Sequence, residues 1–361
     1  MFNTIIKTKM PPSRQERFIG TLLCGCIGDI LGSSNEGKTF NEIRKDGIVT
    51  KWLPNTGYTD DTEMTIILAK YFAQKIDESK MDVFDLQYNI FQKTMIEEIH
   101  ELYKETIKTS TRGYSQKTRS ILTNWSVCTP AGLSNTNGAI MRISPLALLY
   151  YNTNNDLCDY IKYSIYCTHG DSKDAIDAAF VHVKLLQSML LETKKTAEEL
   201  YVYALSLAAK RKNKYLHSLL LSISPDNKHK FVVNKWDITK TIFGFDLMQI
   251  EAIDCLICAL TCFFYNFKKP YNALIMAANC GGDTDTIAKL VGDLVGAMYG
   301  ISWIPNEWQS FEGKEELIQL SIALYSRFPP PKPVWSVAAP TSFILEKPIN
   351  EKIPEIIDLI D

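Results

Sequence analysis

Few stretches of this 361-residue chain alternate polar and apolar residues with period two, and no strand-like segments alternate with helical ones. That absence argues against a half-buried or parallel sheet. Charge of one sign is also lacking. With 39 Lys and Arg against 41 Asp and Glu, the formal net charge is -2. That balance gives no electrostatic case for nucleic acid or an anionic membrane as a partner. The longest apolar run, residues 252–265, is interrupted by Asp254 and is too short for a membrane span. Residues 1–10 are too polar for a signal peptide. No repeat of 20–50 residues is visible. The nine cysteines are odd in number and scattered, which fits thiols in a reducing compartment better than a disulfide framework. The expectation is a soluble, intracellular protein in the cytoplasm, with the nucleus left open.

What is present is helical patterning. Hydrophobic residues make up 46% of the chain and charged residues 22%, as in a globular protein with a large core. From Ser13, Phe18, Ile19, Leu22, Leu23, Cys26 and Ile27 recur at three- and four-residue spacings. Further helices are expected over residues 61–76, 82–108, 116–125, 143–151, 156–166, 175–191, 198–210, 216–223, 247–264, 287–299 and 314–327, with 37–58 irregular. Cys255, Cys258 and Cys262 share one face of the 247–264 helix with Leu256 and Leu260. Core packing is the favoured reading, because a zinc site needs ligands from a second segment and none stands out. A tail (1–13), one all-α domain (14–328) and a Pro-rich arm (329–361) complete the organisation. A polar insert at 224–240 carries no functional reading.

Cys280-Gly281-Gly282-Asp283-Thr284-Asp285-Thr286 lies between two apolar segments. One acidic residue there would serve as a helix cap. Two carboxylates two residues apart repel unless a positive group lies between them, and a hard cation held by oxygen ligands would explain the pair. Tyr58-Thr59-Asp60-Asp61-Thr62 repeats the idea far upstream, also opening an apolar run. Asp60, Asp61, Asp283 and Asp285 with Thr59 and Thr286 could hold two cations, Mg²⁺, Mn²⁺ or Ca²⁺ rather than zinc. Asp-Thr-Asp-Thr also fits the Asp-x-Asp-x-Thr loop of haloacid-dehalogenase-type phosphatases, but that loop follows a β-strand near the start of a domain. Glu36, on a polar loop after the first helix, is a candidate general base. Asn137-Gly138 marks a turn, and His169 sits where a following helix is expected to start, more often a cap or core position than a catalytic one.

Taken in order over residues 17–308, these segments resemble the ADP-ribosylglycohydrolase family, which includes ADP-ribosyl-acceptor hydrolases and the dinitrogenase-reductase-activating glycohydrolase. The blocks are Gly28-Asp29-x-x-Gly32 with Glu36, Tyr58 to Thr62, Asn137-Gly138-x-x-Met141-Arg142, Thr168-His169, and Gly281 to Ala288. The resemblance implies a compact, orthogonal all-α bundle around two Mg²⁺ or Mn²⁺ ions. Thr59, Asp60, Asp61, Asp283, Asp285 and Thr286 would be their ligands. It implies hydrolysis of the bond at C1″ of ADP-ribose on a protein side chain or small acceptor, with Glu36 as general base and the metals on the 2″ and 3″ hydroxyls. The amides of Asn137, Gly138 and Ala139, with His169 and Gly282, would contact the rest of the substrate. The family's Gly-Asn-Gly run is here Asn135-Thr136-Asn137-Gly138, so the phosphate loop is expected to differ in shape. A monomer is expected. The competing reading is an inactive ADP-ribose-binding or crystallin-like structural member.

Overall fold

The computed structural model describes residues 11–52, 56–75, 86–125, 132–153, 157–224, 237–244 and 248–327. The expected Pro-rich arm, most of the N-terminal tail and most of the polar insert lie outside these residues. The described residues are helical, with no strand and one isolated antiparallel bridge, Thr136 to Glu251. The all-α expectation holds.

The first helix, α1 (Arg14–Ser33), begins where the sequence placed it. Ser13 accepts from the Glu16 amide at 3.2 Å and donates its own amide to the Glu16 carboxylate at 2.7 Å, a reciprocal cap. Then follow α2 (Phe40–Asp46), α3 (Asp60–Lys75), α4 (Leu86–Ile107), α5 (Gln116–Asn124), α6 (Ser144–Leu149), α7 (Cys158–His169) and α8 (Lys173–Leu190). The remainder are α9 (Ala197–Lys210), α10 (Lys214–Ser222), α11 (Ile238–Phe243), α12 (Ala252–Tyr265), α13 (Pro270–Ala278), α14 (Thr284–Tyr299) and α15 (Lys314–Arg327). Four of these correct the sequence reading, among them α13, which covers a stretch read only as an apolar segment. α2 lies in the stretch expected to be irregular and buries only Ile43, so it shows no apolar period; its Thr39–Glu42 capping box was the available signal. α11 straddles the end of the polar insert, at Ile238–Phe243. α7 runs on to His169, making that residue the last of a helix rather than the start of the next; Ser172 caps α8 instead.

Helices α8, α12 and α14 are buried almost all round, and α1 nearly so, which marks them as the centre of the molecule. Cys255, Cys258 and Cys262 are wholly buried in α12, as core packing requires. The closest pairing is α1 against α14, running antiparallel. Gly20, Cys24, Gly28 and Gly32 face Gly296, Gly292, Ala288 and Thr284 in turn. A Cβ at Gly28 would lie 2.5 Å from the carbonyl carbon of Ala288, and one at Gly32 2.5 Å from that of Thr284. Only small residues permit such backbone-to-backbone approach. At the far end, Arg17 donates to the carbonyls of Ala297 (3.1 Å) and Met298, a cation on the negative end of the α14 dipole. The near end brings the close of α1 to the start of α14.

Candidate active site

Two loops meet at that near end, the one leaving α1 and the one entering α14. The Gly37 amide donates to Gly282 O at 2.9 Å, and the Gly282 amide returns a bond to Lys38 O at 2.8 Å. Gly281 and Gly282 both have φ above +80°, and a Cβ at Gly281 would come within 2.7 Å of the Phe40 amide. Glycine is therefore required there on both counts. Asn35 ties the same loop down, donating to Ala278 O and to Asn279 Oδ1, each at 3.0 Å. The result is that carboxylate oxygens of Glu36, Asp283 and Asp285 lie within 4.8 Å of one another.

The second acidic pair enters on α3, and its placement depends on Asp29. This fully buried α1 side chain accepts the Thr59 amide on both oxygens at 3.1 Å and the Thr62 amide at 3.1 Å. The carboxylate thus caps a helix distant in sequence, satisfying amides that would otherwise be orphaned. Asp60 and Asp61 are the first residues of that helix. Arg112 braces the approach, donating to Tyr58 O at 3.0 Å and to Glu312 at 2.7 Å while its guanidinium lies 4.1 Å from the Tyr58 ring centre.

The electrostatics of the cluster are unfavourable as it stands. Asp61 is 3% exposed, and its Oδ2 is buried with no hydrogen-bond partner. Burial, with the charges of Asp29, Asp60 and Asp283, pushes its carboxyl well up. Asp285 is raised by burial and then by Asp61, Asp283 and Glu36. Asp60 is pushed up to about 7, chiefly by burial and by Asp29. Glu36 rises for the same reasons, burial first and then Asp283 and Asp29. Lys289 opposes the trend at Asp61, but its ammonium is bonded to both Asp293 oxygens at 3.0 Å. The capping alternative fails for Asp283, which occupies the N-cap position of α14 without any side-chain cap bond. Asp285 does accept the Thr286 amide at 2.8 Å, and Thr59 Oγ1 the Asp61 amide at 3.3 Å.

On the other side of Asp283 stands a short turn, Asn137–Ala139. Asn137 Nδ2 donates to Asp283 Oδ2 at 2.6 Å and to Gln249 O at 3.0 Å. Gln249, wholly buried, accepts the Asp283 amide at 2.9 Å on Oε1. Beneath the turn, His169 has both ring nitrogens engaged, Nε2 with Thr136 Oγ1 at 3.0 Å and Nδ1 with Thr168 Oγ1 at 2.7 Å. Burial, then Arg142, holds its pKa well below the ordinary value, so the ring is neutral.

The family model for ADP-ribosylglycohydrolases matches residues 10–333. The chain belongs to that family. The ADP-ribosylhydrolase ARH3 of Mus musculus is 26% identical over 356 residues, covering 86% of this chain and 92% of its own. The ADP-ribosyl-[dinitrogen reductase] glycohydrolase of Rhodospirillum rubrum is 25% identical over 318 residues, covering 83% and 91%. A solved structure described as an ADP-ribosylglycohydrolase-related protein complex superposes with a TM-score of 0.62 at 23% identity, over 87% of this chain and 98% of that one. It shares the fold. The protein is an enzyme of the glycohydrolase class, and among the described residues no helix is long and apolar enough to cross a membrane.

In this glycohydrolase the expected residues fall into two groups. Glu36, Asp283 and Asp285 are brought together directly, and the charges of Asp60 and Asp61 reach them through space. Thr59 and Thr286 flank them on the starts of α3 and α14, and Gly282 pairs the two loops. Asn137 touches the cluster, while Gly138 lies over the His169 ring, where a Cβ would meet Cε1 at 3.3 Å; Ala139 is fully buried. His169 offers no unengaged nitrogen to a ligand. Sequence reasoning missed Asp29 and Gln249 as positioning residues. A charged residue inside the apolar stretch of α1 was a readable signal for Asp29, whereas nothing local marked Gln249.

Proposed function

We propose that the protein is a metal-dependent ADP-ribosyl hydrolase that cleaves the C1″ glycosidic bond of ADP-ribose attached to a protein side chain or a small acceptor. The observation that carries this reading is the gathering of Glu36, Asp283 and Asp285 within 4.8 Å of one another, beside a buried, unpartnered oxygen of Asp61 that feels the charges of Asp60 and Asp283. Such an arrangement is costly unless a cation completes it. The donors are all oxygens, which suits hard divalent ions, two Mg²⁺ or Mn²⁺, held by Thr59, Asp60, Asp61, Asp283, Asp285 and Thr286. When bound, such ions would compensate the carboxylates and hold the vicinal hydroxyls of the distal ribose.

The chain's own residues do the remaining work. Asp29 and Gln249 orient the two acidic segments through the backbone of Thr59, Thr62 and Asp283. Asn137 fixes Asp283 and starts the turn, with Gly138 and Ala139, that lines the diphosphate side, while His169 supports this turn from beneath. Glu36, on the loop that leaves α1, takes a proton from the attacking water or from a ribose hydroxyl. Burial, Asp283 and Asp29 raise its pKa, and a carboxylate with a raised pKa is a stronger base than an ordinary surface one.

The test is release of free ADP-ribose from serine-linked and arginine-linked ADP-ribosyl peptides, with Mg²⁺ and with EDTA. Release from one of the two peptides, abolished by EDTA, is expected and names the acceptor linkage. Release that survives EDTA would exclude the metal-dependent mechanism. No release, with ADP-ribose still bound in calorimetry, would favour a binding protein instead.

A further inference from the structure

Arg142 is among the largest fully buried side chains of the molecule, at 1% exposure, and no carboxylate pairs with it among the described residues. The other deeply buried cations differ in this respect: Lys289 is bonded to Asp293 and Arg17 lies 3.4 Å from Glu192. The partners of Arg142 are all neutral. Nη1 donates to Gly138 O and approaches Met64 Sδ at 3.8 Å, and Nη2 donates to Thr168 Oγ1 at 2.6 Å. The guanidinium carbon lies 5.2 Å from the Tyr103 ring centre, and Nε is buried without a partner. Next to it, His169 is neutral. Holding Gly138 O and Thr168 Oγ1 calls for hydrogen-bond donors, which a neutral amide side chain also has. A buried charge left uncompensated is costly, and the turn's support alone does not explain it.

The position of that charge is informative. It lies directly beneath Gly138, while the preceding residue, Asn137, is bonded to Asp283. The Asn137–Ala139 turn is therefore bipolar, acidic at its Asn137 end and underlain by a cation at its Gly138 end. A ligand with hydroxyls at one end and phosphate at the other is complementary to it. We propose that Arg142 is a positioning residue for the anionic half of the substrate, its charge being completed by a diphosphate lying over the Asn137–Ala139 turn. This deepens, and rests on, the ADP-ribosyl reading above.

The test compares ADP-ribose with adenosine, which lacks the diphosphate, by calorimetry on the full chain with Mg²⁺ present. Wild type, Arg142→Gln and Arg142→Lys are each checked for folding by thermal unfolding. Arg142→Gln is expected to weaken ADP-ribose binding about tenfold more than adenosine binding, as loss of a charged partner should. Arg142→Lys keeps the charge but not the two-pronged geometry, and should recover most of the preference for ADP-ribose. Equal losses for both ligands, or no recovery with lysine, would mean that Arg142 merely holds the turn, and would overturn the proposal. Should Arg142→Gln fail to fold, the lysine variant decides: a preference for ADP-ribose like that of wild type supports the proposal, and its loss overturns it. A wild-type protein that binds no ADP-ribose would overturn the underlying reading, which the wild-type titration reveals before any variant is made.

Discussion

Adding one methyl group at Gly28 tests whether the α1–α14 approach builds the site. A Cβ there would lie 2.5 Å from the Ala288 carbonyl carbon and 2.9 Å from the Lys289 amide nitrogen. Both are backbone atoms and cannot rotate aside. Carbon atoms prefer separations of about 3.5–4.0 Å, so the helices must part by roughly 1 Å. Overpacking of this kind costs about 1–3 kcal/mol, and alanine returns up to about 1 kcal/mol through helix propensity. We expect a net loss near the upper end, about 2 kcal/mol, since the clash is with backbone on both sides. The same displacement separates Glu36 from Asp283 and Asp285, and a misplacement of ~1 Å can reduce turnover ~100-fold. Urea unfolding and ADP-ribose release would be measured on Gly28→Ala and on Gly47→Ala. Gly47 has φ +102° with open space around it, so its variant carries backbone strain but no clash and should keep wild-type turnover. Wild-type stability and turnover in Gly28→Ala would refute the reasoning.

Further outcomes concern the acidic groups. Asp29→Asn leaves only one acceptor oxygen for the Thr59 and Thr62 amides and turns an NH₂ toward them, so a loss of about 2–3 kcal/mol in chemical unfolding is expected. Mn²⁺ binding should weaken with it in a titration, since the start of α3 loses its anchor; unchanged affinity would separate Asp29 from the site. Glu36→Gln should lower kcat by about 100-fold or more while ADP-ribose binding stays near wild type, and normal turnover would remove Glu36 from catalysis. The metal-free protein should also be pH-sensitive. Asp61, Asp285, Glu36 and Asp60, the last at about 7, hold protons in the folded state that the unfolded chain releases near the ordinary carboxylate range. Their contribution to stability is full at low pH and is lost as pH rises through neutrality. In EDTA the Tm should therefore fall between pH 5 and pH 8, and Mg²⁺ should restore it at pH 8; a flat profile in EDTA would contradict the crowding of these carboxylates.

Most helices were legible because their signals are local. Apolar residues at three- and four-residue spacings and caps such as Ser13 with Glu16 act within one or two turns, so α1, α8 and α14 could be read from neighbouring residues. The acidic motifs were legible for a similar reason, since paired carboxylates at helix starts are a visible conflict in the chain itself. α2 escaped because it buries a single residue, and α7 was cut short because its last turn carries Thr168 and His169, polar side chains whose partners are elsewhere.

Which carboxylates meet was decided only by the packed molecule. Asp29 does not announce that its carboxylate will cap α3, and Gln249 lies in no motif, yet both orient the acidic segments. The glycines at 20, 28 and 32 promise that something comes close without naming Gly296, Ala288 and Thr284 as the partners. His169 looks available in the sequence and is engaged at both nitrogens in the structure, while the unpaired charge of Arg142 emerges only from its surroundings. Helix formation depends on contacts a few residues apart, whereas side-chain partnership and desolvation depend on contacts between segments remote in the chain.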